Sequence, residues 1–296
     1  MNAAEQAKAL ESLGPGAYKL KGRPFRLGTD SCLIEADLVE NVKRLAPLVD
    51  DVMLILYDCG VSNYPDRNQV KILADIASAE DLSFTVHLPS SLQGITVSEA
   101  WEESCYAQVM RSIEATAELA PQSFVWHWES ESFGEIPSDD IPRWLDALCR
   151  IASRVLSLGA ADPQKLCVET LSYPYDIILP MVREFGLSVT LDIGHVWKAG
   201  WQAVPLMEEL LPLTRIAHIH GVKVPGGEDH QSLRVAPEAL VREFLRAFCA
   251  FDNKASLPCG IMPQDRALTI EVFSPSDFSQ SADIIKSILR DEQIIA

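Results

Sequence analysis

Residues 188–221 read SVTLDIGHVWKAGWQAVPLMEELLPLTRIAHIHG. The run Ser188–Asp192 closes on a carboxylate, and Ile216–Gly221 carries two histidines, His218 and His220. Both runs have strand length, and a longer segment separates them. The same unit recurs outward in both directions. Phe25–Thr29, Val52–Asp58, Ser83–Leu88, Phe124–Trp128, Leu166–Thr170 and Leu268–Phe273 bring the strand candidates to eight. Between them lie segments with apolar spacing near 3.6, such as Leu38-Val42-Leu45-Leu48 and Leu145-Leu148-Ile151-Val155. Leu240–Phe248 and Phe278–Leu289 follow the same pattern, and Ser276 is placed to cap the last helix. A doubly wound sheet needs a glycine-rich phosphate turn after a strand, and the sequence has no GxGxxG. No linker, low-complexity tract or charge block divides the chain. Eight unbroken βα units predict one α/β domain, a (β/α)8 TIM barrel over 23–296, preceded by an N-terminal extension at 1–22.

The chain has 296 residues and a formal net charge of −17, with 48% hydrophobic and 23% charged residues. That balance excludes a disordered or fibrous chain. The acidity argues against nucleic acid as a partner, because holding phosphates requires a basic footprint. A polyanionic membrane surface is disfavoured for the same reason. No apolar run approaches the roughly 20 residues of a membrane helix, and Met1–Gly22 lacks the apolar core of a secretion signal. The seven cysteines (Cys32, Cys59, Cys105, Cys149, Cys167, Cys249, Cys259) are scattered, with no CxxC pair. Buried thiols in a reducing cytoplasm fit that distribution better than disulfides or cysteine-held zinc.

The six histidines are His87, His127, His195, His218, His220 and His230. All fall at or just beyond the C-terminal ends of strand candidates, as do the carboxylates Asp58, Glu169, Asp192 and Glu271. In a barrel those ends converge on one mouth, where active sites are built. A single strand-end histidine is more often a satisfied structural residue, so the inference rests on the set. Alternation sharpens it. His87 shares a face with Thr85, His218 with His220, and Glu271 opposes Ile270 and Val272, so the polar members can point inward. A buried cluster of this charge requires cations to neutralise it. Imidazole with carboxylate suits zinc, manganese or iron rather than calcium. Glu169, Asp192, His220 and Glu271 would complete one divalent site. His87, His127, His195, His230 and the pair Glu228–Asp229 would remain, which predicts more than one ion per chain. Clustered divalent ions serve phosphoryl transfer.

The phrases FTVHLP, VWHWE, VETLSYP, TLDIGH, AHIHG, DHQSL and TIEVFS resemble the xylose-isomerase-like barrel superfamily. The abundance of histidine is similar to its AP endonuclease 2 branch, related to apurinic endonuclease IV, whose members carry three metal ions. FRLGTDSCLIEADLVENVKRLAPLVDDVMLILYD, SNYPD, ETLSYPYD and HIHGV followed by DHQSL resemble the cobamide-remodelling phosphodiesterases of that branch. The similarity runs from Phe25 to the end. It implies a first metal on His87, His127 and Glu169, and a second on Glu169, Asp192, His220 and Glu271. A third would sit on His195, His230 and a preceding carboxylate. Glu228 and Asp229 both fit that spacing, with Asp229 preferred. His218 and His220 compete for one ligand position, and His220 is favoured as nearer the mouth. Thr170 stands where relatives commonly carry Asn. The implied substrate is a corrinoid small molecule, hydrolysed to release its lower-ligand nucleoside.

Glu169 and Glu271 are the central catalytic candidates. Asp58 reads either as a substrate contact or general base, or as a polar rim residue. Tyr173, Trp197 and Trp201 are candidates for a substrate-binding rim, with loop packing as the plainer alternative. Trp126 and Trp128 flank His127 and should pack outward, while Gly28 and Gly194 suit tight backbone at the mouth. Three rival functions compete with the hydrolase. They are a single-metal sugar isomerase or epimerase shuttling a proton between Glu169 and Glu271, an endonuclease IV-like repair enzyme, and a non-enzymatic cobamide or metal carrier.

Overall fold

A computed structural model describes residues 3–19, 25–57, 62–90, 97–129, 138–223, 227–250 and 266–295. The strands are β1 (Arg26–Asp30), β2 (Asp51–Ile55), β3 (Ser83–His87), β4 (Ser123–Trp126), β5 (Leu166–Glu169), β6 (Ser188–Asp192), β7 (Thr214–Ile219) and β8 (Ala267–Ile270). All pair in parallel and in sequence order, and β8 closes on β1, making one barrel domain. The helices among the described residues are α1 (Ala3–Glu11), α2 (Leu38–Leu45), α3 (Arg67–Glu80), α4 (Glu99–Thr116), α5 (Ile141–Ser157), α6 (Leu179–Glu184), α7 (Ile193–Lys198), α8 (Ala203–Leu210), α9 (Glu238–Ala250) and α10 (Pro275–Asp291). None of them is long and apolar enough to cross a membrane.

Alternation along each strand sorts the side chains into two cores. Outward residues such as Val52, Leu54, Phe84, Val86, Leu191 and Ile270 join the helices in the main core. In α5 the stripe is Trp144, Leu148, Ile151 and Val155, so Trp144 takes the place expected of Leu145. Inward residues stack in layers. Near the N-terminal end, Asp51 accepts from Ser83 Oγ at 2.6 Å and Thr85 Oγ1 at 2.9 Å. Above them a small apolar plug of Met53, Val125, Cys167 and Ile216 fills the barrel. The register then sets the next inward layer. His87 lies opposite Ile55, Glu169 opposite Thr190, and Asp192 opposite His218.

Several expected boundaries move. Leu88, Trp128, Thr170, Gly221 and Phe273 lie just beyond their strands, although Leu88 N–H still donates to Val125 O and Thr170 N–H to Thr190 O. β1 instead runs one residue past Thr29 to Asp30. α10 is capped by Ser274, which accepts from Asp277 N–H, and not by Ser276; Pro275 opens its first turn, where no N–H is required. Residues 3–19 form α1 and a following turn that buries Leu10 and Tyr18. The Tyr18 ring meets Phe278 of α10 edge-on at 5.3 Å.

Candidate metal centre

His87 ends β3, His127 directly follows β4, and both turn the same ring atom inward. His87 Nδ1–H donates to Leu88 O at 2.9 Å, and His127 Nδ1–H donates to Glu129 Oε1 at 3.0 Å. Those bonds leave the lone pair on Nε2 of each ring. The two Nε2 atoms are 3.2 Å apart, and His127 Nε2 is 2.8 Å from Glu169 Oε2. Once both rings are neutral, two lone pairs and a carboxylate oxygen converge on one buried point and repel one another unless a cation sits among them. His195 and His230 are set the same way: Nδ1–H of His195 donates to Thr170 O at 3.1 Å, and that of His230 to Glu271 O at 3.2 Å.

Among the described residues, three groups of side chains have ligand atoms within 4.8 Å of one another: His87, His127 and Glu169; Glu169, Asp192, His218 and Glu271; and His195, His220 and His230. Glu169 belongs to two of them. The donor set is imidazole and carboxylate throughout, which fits a divalent transition metal. The middle group is entirely buried. Its His218 Nδ1 lies 3.1 Å from both Glu169 Oε1 and Glu271 Oε2, while Asp192 Oδ1 is held by His195 N–H at 2.9 Å, at the start of α7.

Electrostatics follow from this crowding. Burial opposes protonation of His218, but Glu271 and Glu169 outweigh it and hold its pKa well above the usual imidazole value. His127 behaves alike, with Glu169 and Glu129 overcoming burial. His87, buried and beside His127, is pushed down to about 4. Burial raises Glu169, Asp192 and Glu271, yet the facing histidines win and hold all three below their ordinary values, Glu271 at about 2. In the metal-free protein, protons on His127 and His218 thus stand where cations would neutralise the carboxylates.

The geometry reverses one expectation. His218, not His220, joins Glu169, Asp192 and Glu271. Depth is the reason: the register sets His218 opposite Asp192 and Thr269, level with the carboxylates, while His220 lies past the end of β7. Asp229 does not reach the third group, because Lys198 holds its carboxylate and keeps it below its usual pKa against burial. Glu228 is exposed, 3.7 Å from Lys223. Two residues of the expected aromatic rim are buried instead. Tyr173 is fully buried, donating its OH to Trp128 O at 2.8 Å and meeting Trp144 edge-on. Trp197 is buried, and Trp201 lines an outer groove with Tyr175, Leu206 and Leu210. Trp126 and Trp128 pack in the core, as expected. Asp58 lies outside the described residues.

Four residues escaped the sequence reading. Glu129 sits two positions after His127, the strand spacing that shares a face, so alternation could have found it. Asp30 is fully buried at the end of β1, and burial followed by repulsion from Glu271 pushes it up to about 8, against its bond from Cys32 N–H. Ending β1 one residue early hid it. Phe273 is 51% exposed, with its ring 5.2 Å from that of His230, and Tyr57, two residues past β2, is 39% exposed.

Among solved structures, the fold is similar to a D-tagatose 3-epimerase-like protein (TM-score 0.69, 18% identity, covering 91% of this chain and 99% of that one). It is also similar to endonuclease IV from Thermus thermophilus (TM-score 0.65, 16% identity, covering 90% and 99%) and to an L-ribulose 3-epimerase (TM-score 0.61, 15% identity, covering 91% and 97%). No family model matches the chain, and no curated protein matches it.

Proposed function

We propose that this protein is a metal-dependent phosphodiesterase that cleaves the nucleotide loop of cobamides, with more than one divalent ion, zinc first and manganese or iron as alternatives. One observation carries the hydrolase half of the proposal: His87, His127, His195 and His230 each give Nδ1–H to a carbonyl or carboxylate, leaving Nε2 as a ligand atom around an already complete four-residue group. A single-metal isomerase needs only that group. Bound divalent ions supply charge to stabilise the entering and leaving oxygens of an in-line displacement at phosphorus and make water more acidic.

The chain's own residues hold and orient. Glu169 would bridge the first two groups through its two oxygens, Asp192 is fixed by the α7 amide, and Glu129 sets the His127 ring. Water adds to phosphorus and the ester oxygen leaves as a hydroxyl, giving a corrinoid phosphate and a nucleoside. The cobamide half rests on the phrases shared with that branch. A sugar epimerase is the second reading, favoured by the completeness of the Glu169, Asp192, His218 and Glu271 group.

Mass spectrometry of complete cobamide after incubation with metal-loaded protein separates the two. A corrinoid phosphate plus a nucleoside is expected, with cobinamide, which has no nucleotide loop, inert. Intact cobamide beside rapid interconversion of ketose sugars would leave the epimerase standing.

A further inference from the structure

His220 differs from His87, His127, His195 and His230 in its hydrogen bonding. It is fully buried, and the backbone N–H of His230 points at its Nδ1 from 3.0 Å. A peptide N–H can only donate, so that nitrogen must carry the lone pair. The contact from the same atom to Gly221 O, at 3.5 Å, is too long to compete. The proton is therefore on Nε2, which lies 3.2 Å from Asp192 Oδ1 and 3.3 Å from Oδ2. His230 reaches this position with φ +49°, a left-handed conformation that a histidine adopts at a cost. Gly194 clears the space on the other side: a Cβ there would come within 2.2 Å of the His220 ring.

We infer that His220 is a positioning residue, not a metal ligand: the His230 amide fixes its tautomer so that Nε2–H aims the Asp192 carboxylate at the Glu169, His218 and Glu271 group. The strained backbone and the glycine are the two features that keep the ring in place. The third group then keeps His195 and His230 as its imidazole ligands, and their Nδ1 bonds point the opposite way from that of His220. The inference depends on the metal reading above only for what Asp192 grips; the tautomer belongs to the chain itself.

The test is nuclear magnetic resonance on protein carrying isotope-labelled histidine, metal-free and then loaded with spin-active cadmium. In the metal-free protein His220 should show a proton on Nε2 and an unprotonated Nδ1; a proton on Nδ1 overturns the inference. After loading, cadmium–nitrogen coupling is expected at His87, His127, His195, His218 and His230 and not at His220, where its appearance would also overturn it. Absence of coupling at every histidine would defeat the metal reading while the tautomer result still decides this one. Elemental analysis adds a second arm. His220→Gln, whose amide can still donate to Asp192, should bind as many ions as the unaltered chain, with His220→Leu and Gly194→Ala binding about 10- to 100-fold more weakly. Loss of one whole equivalent in His220→Gln would mark it as a ligand.

Discussion

Glu169 offers one oxygen to His127 and the other to His218, at 2.8 and 3.1 Å, and is 1% exposed. Replacing it with Gln keeps the shape and removes the charge between two cation seats. Glu169→Gln should therefore stay folded, lose metal and lose at least about 100-fold in turnover; normal turnover would show that Glu169 bridges nothing. Protons set the pH dependence of the same seats. His127 and His218 have raised pKa values and must deprotonate before they can coordinate, so metal affinity should climb as pH rises through neutrality and uptake should release protons. Calorimetry in buffers of different ionisation heat reads that release directly, and pH-independent affinity would contradict it. Phe273, exposed beside His230, is an aromatic side chain available to a planar group at the mouth. Phe273→Ala should raise KM for a cobamide roughly tenfold with little change in kcat. At this scale the ligand types were legible in the sequence because His and carboxylate recur at strand ends. The choice between His218 and His220 was not, since both share a strand face and only the register of β7 against β6 and β8 fixes their depth.

The strands supply a test remote from the metal centre. Asp51, at the start of β2, is pushed up to about 6 by burial, against the hydroxyl bonds from Ser83 and Thr85. The folded protein then binds this proton more tightly than the unfolded chain, so the neutral carboxyl's stabilising share is lost as pH rises from about 4 through 6. Asp51→Asn should remove that loss, raising the melting temperature by several degrees at about pH 8 and leaving it unchanged near pH 4. An equal drop at both pH values would mean that the charge carries no penalty. Element by element, strand positions were readable from alternation, whereas their ends were not. Backbone pairing continues past regular geometry at Leu88 and Thr170, and Asp30 extends β1 where the pattern gave no apolar residue to mark it. Tyr173 and Trp197 misled for another reason. Position after a ligand strand says nothing about direction, and each turns into the packed loop layer instead of the mouth.

Across the whole molecule, closure of eight strands brings residues far apart in sequence, from His87 to Glu271, onto one rim. That closure was legible from the regular βα alternation alone. The net charge of −17 acts at the same scale. On balance it opposes duplex DNA, so an abasic duplex should be neither bound in a salt-sensitive way nor incised near physiological ionic strength; efficient incision would restore a repair function. The central claim, however, is a multinuclear centre built on a barrel that already holds one complete four-residue site. Elemental analysis of protein purified without chelator decides it: more than one transition-metal ion per chain is expected, and a single tightly bound ion with no response to added metal would contradict a multinuclear centre.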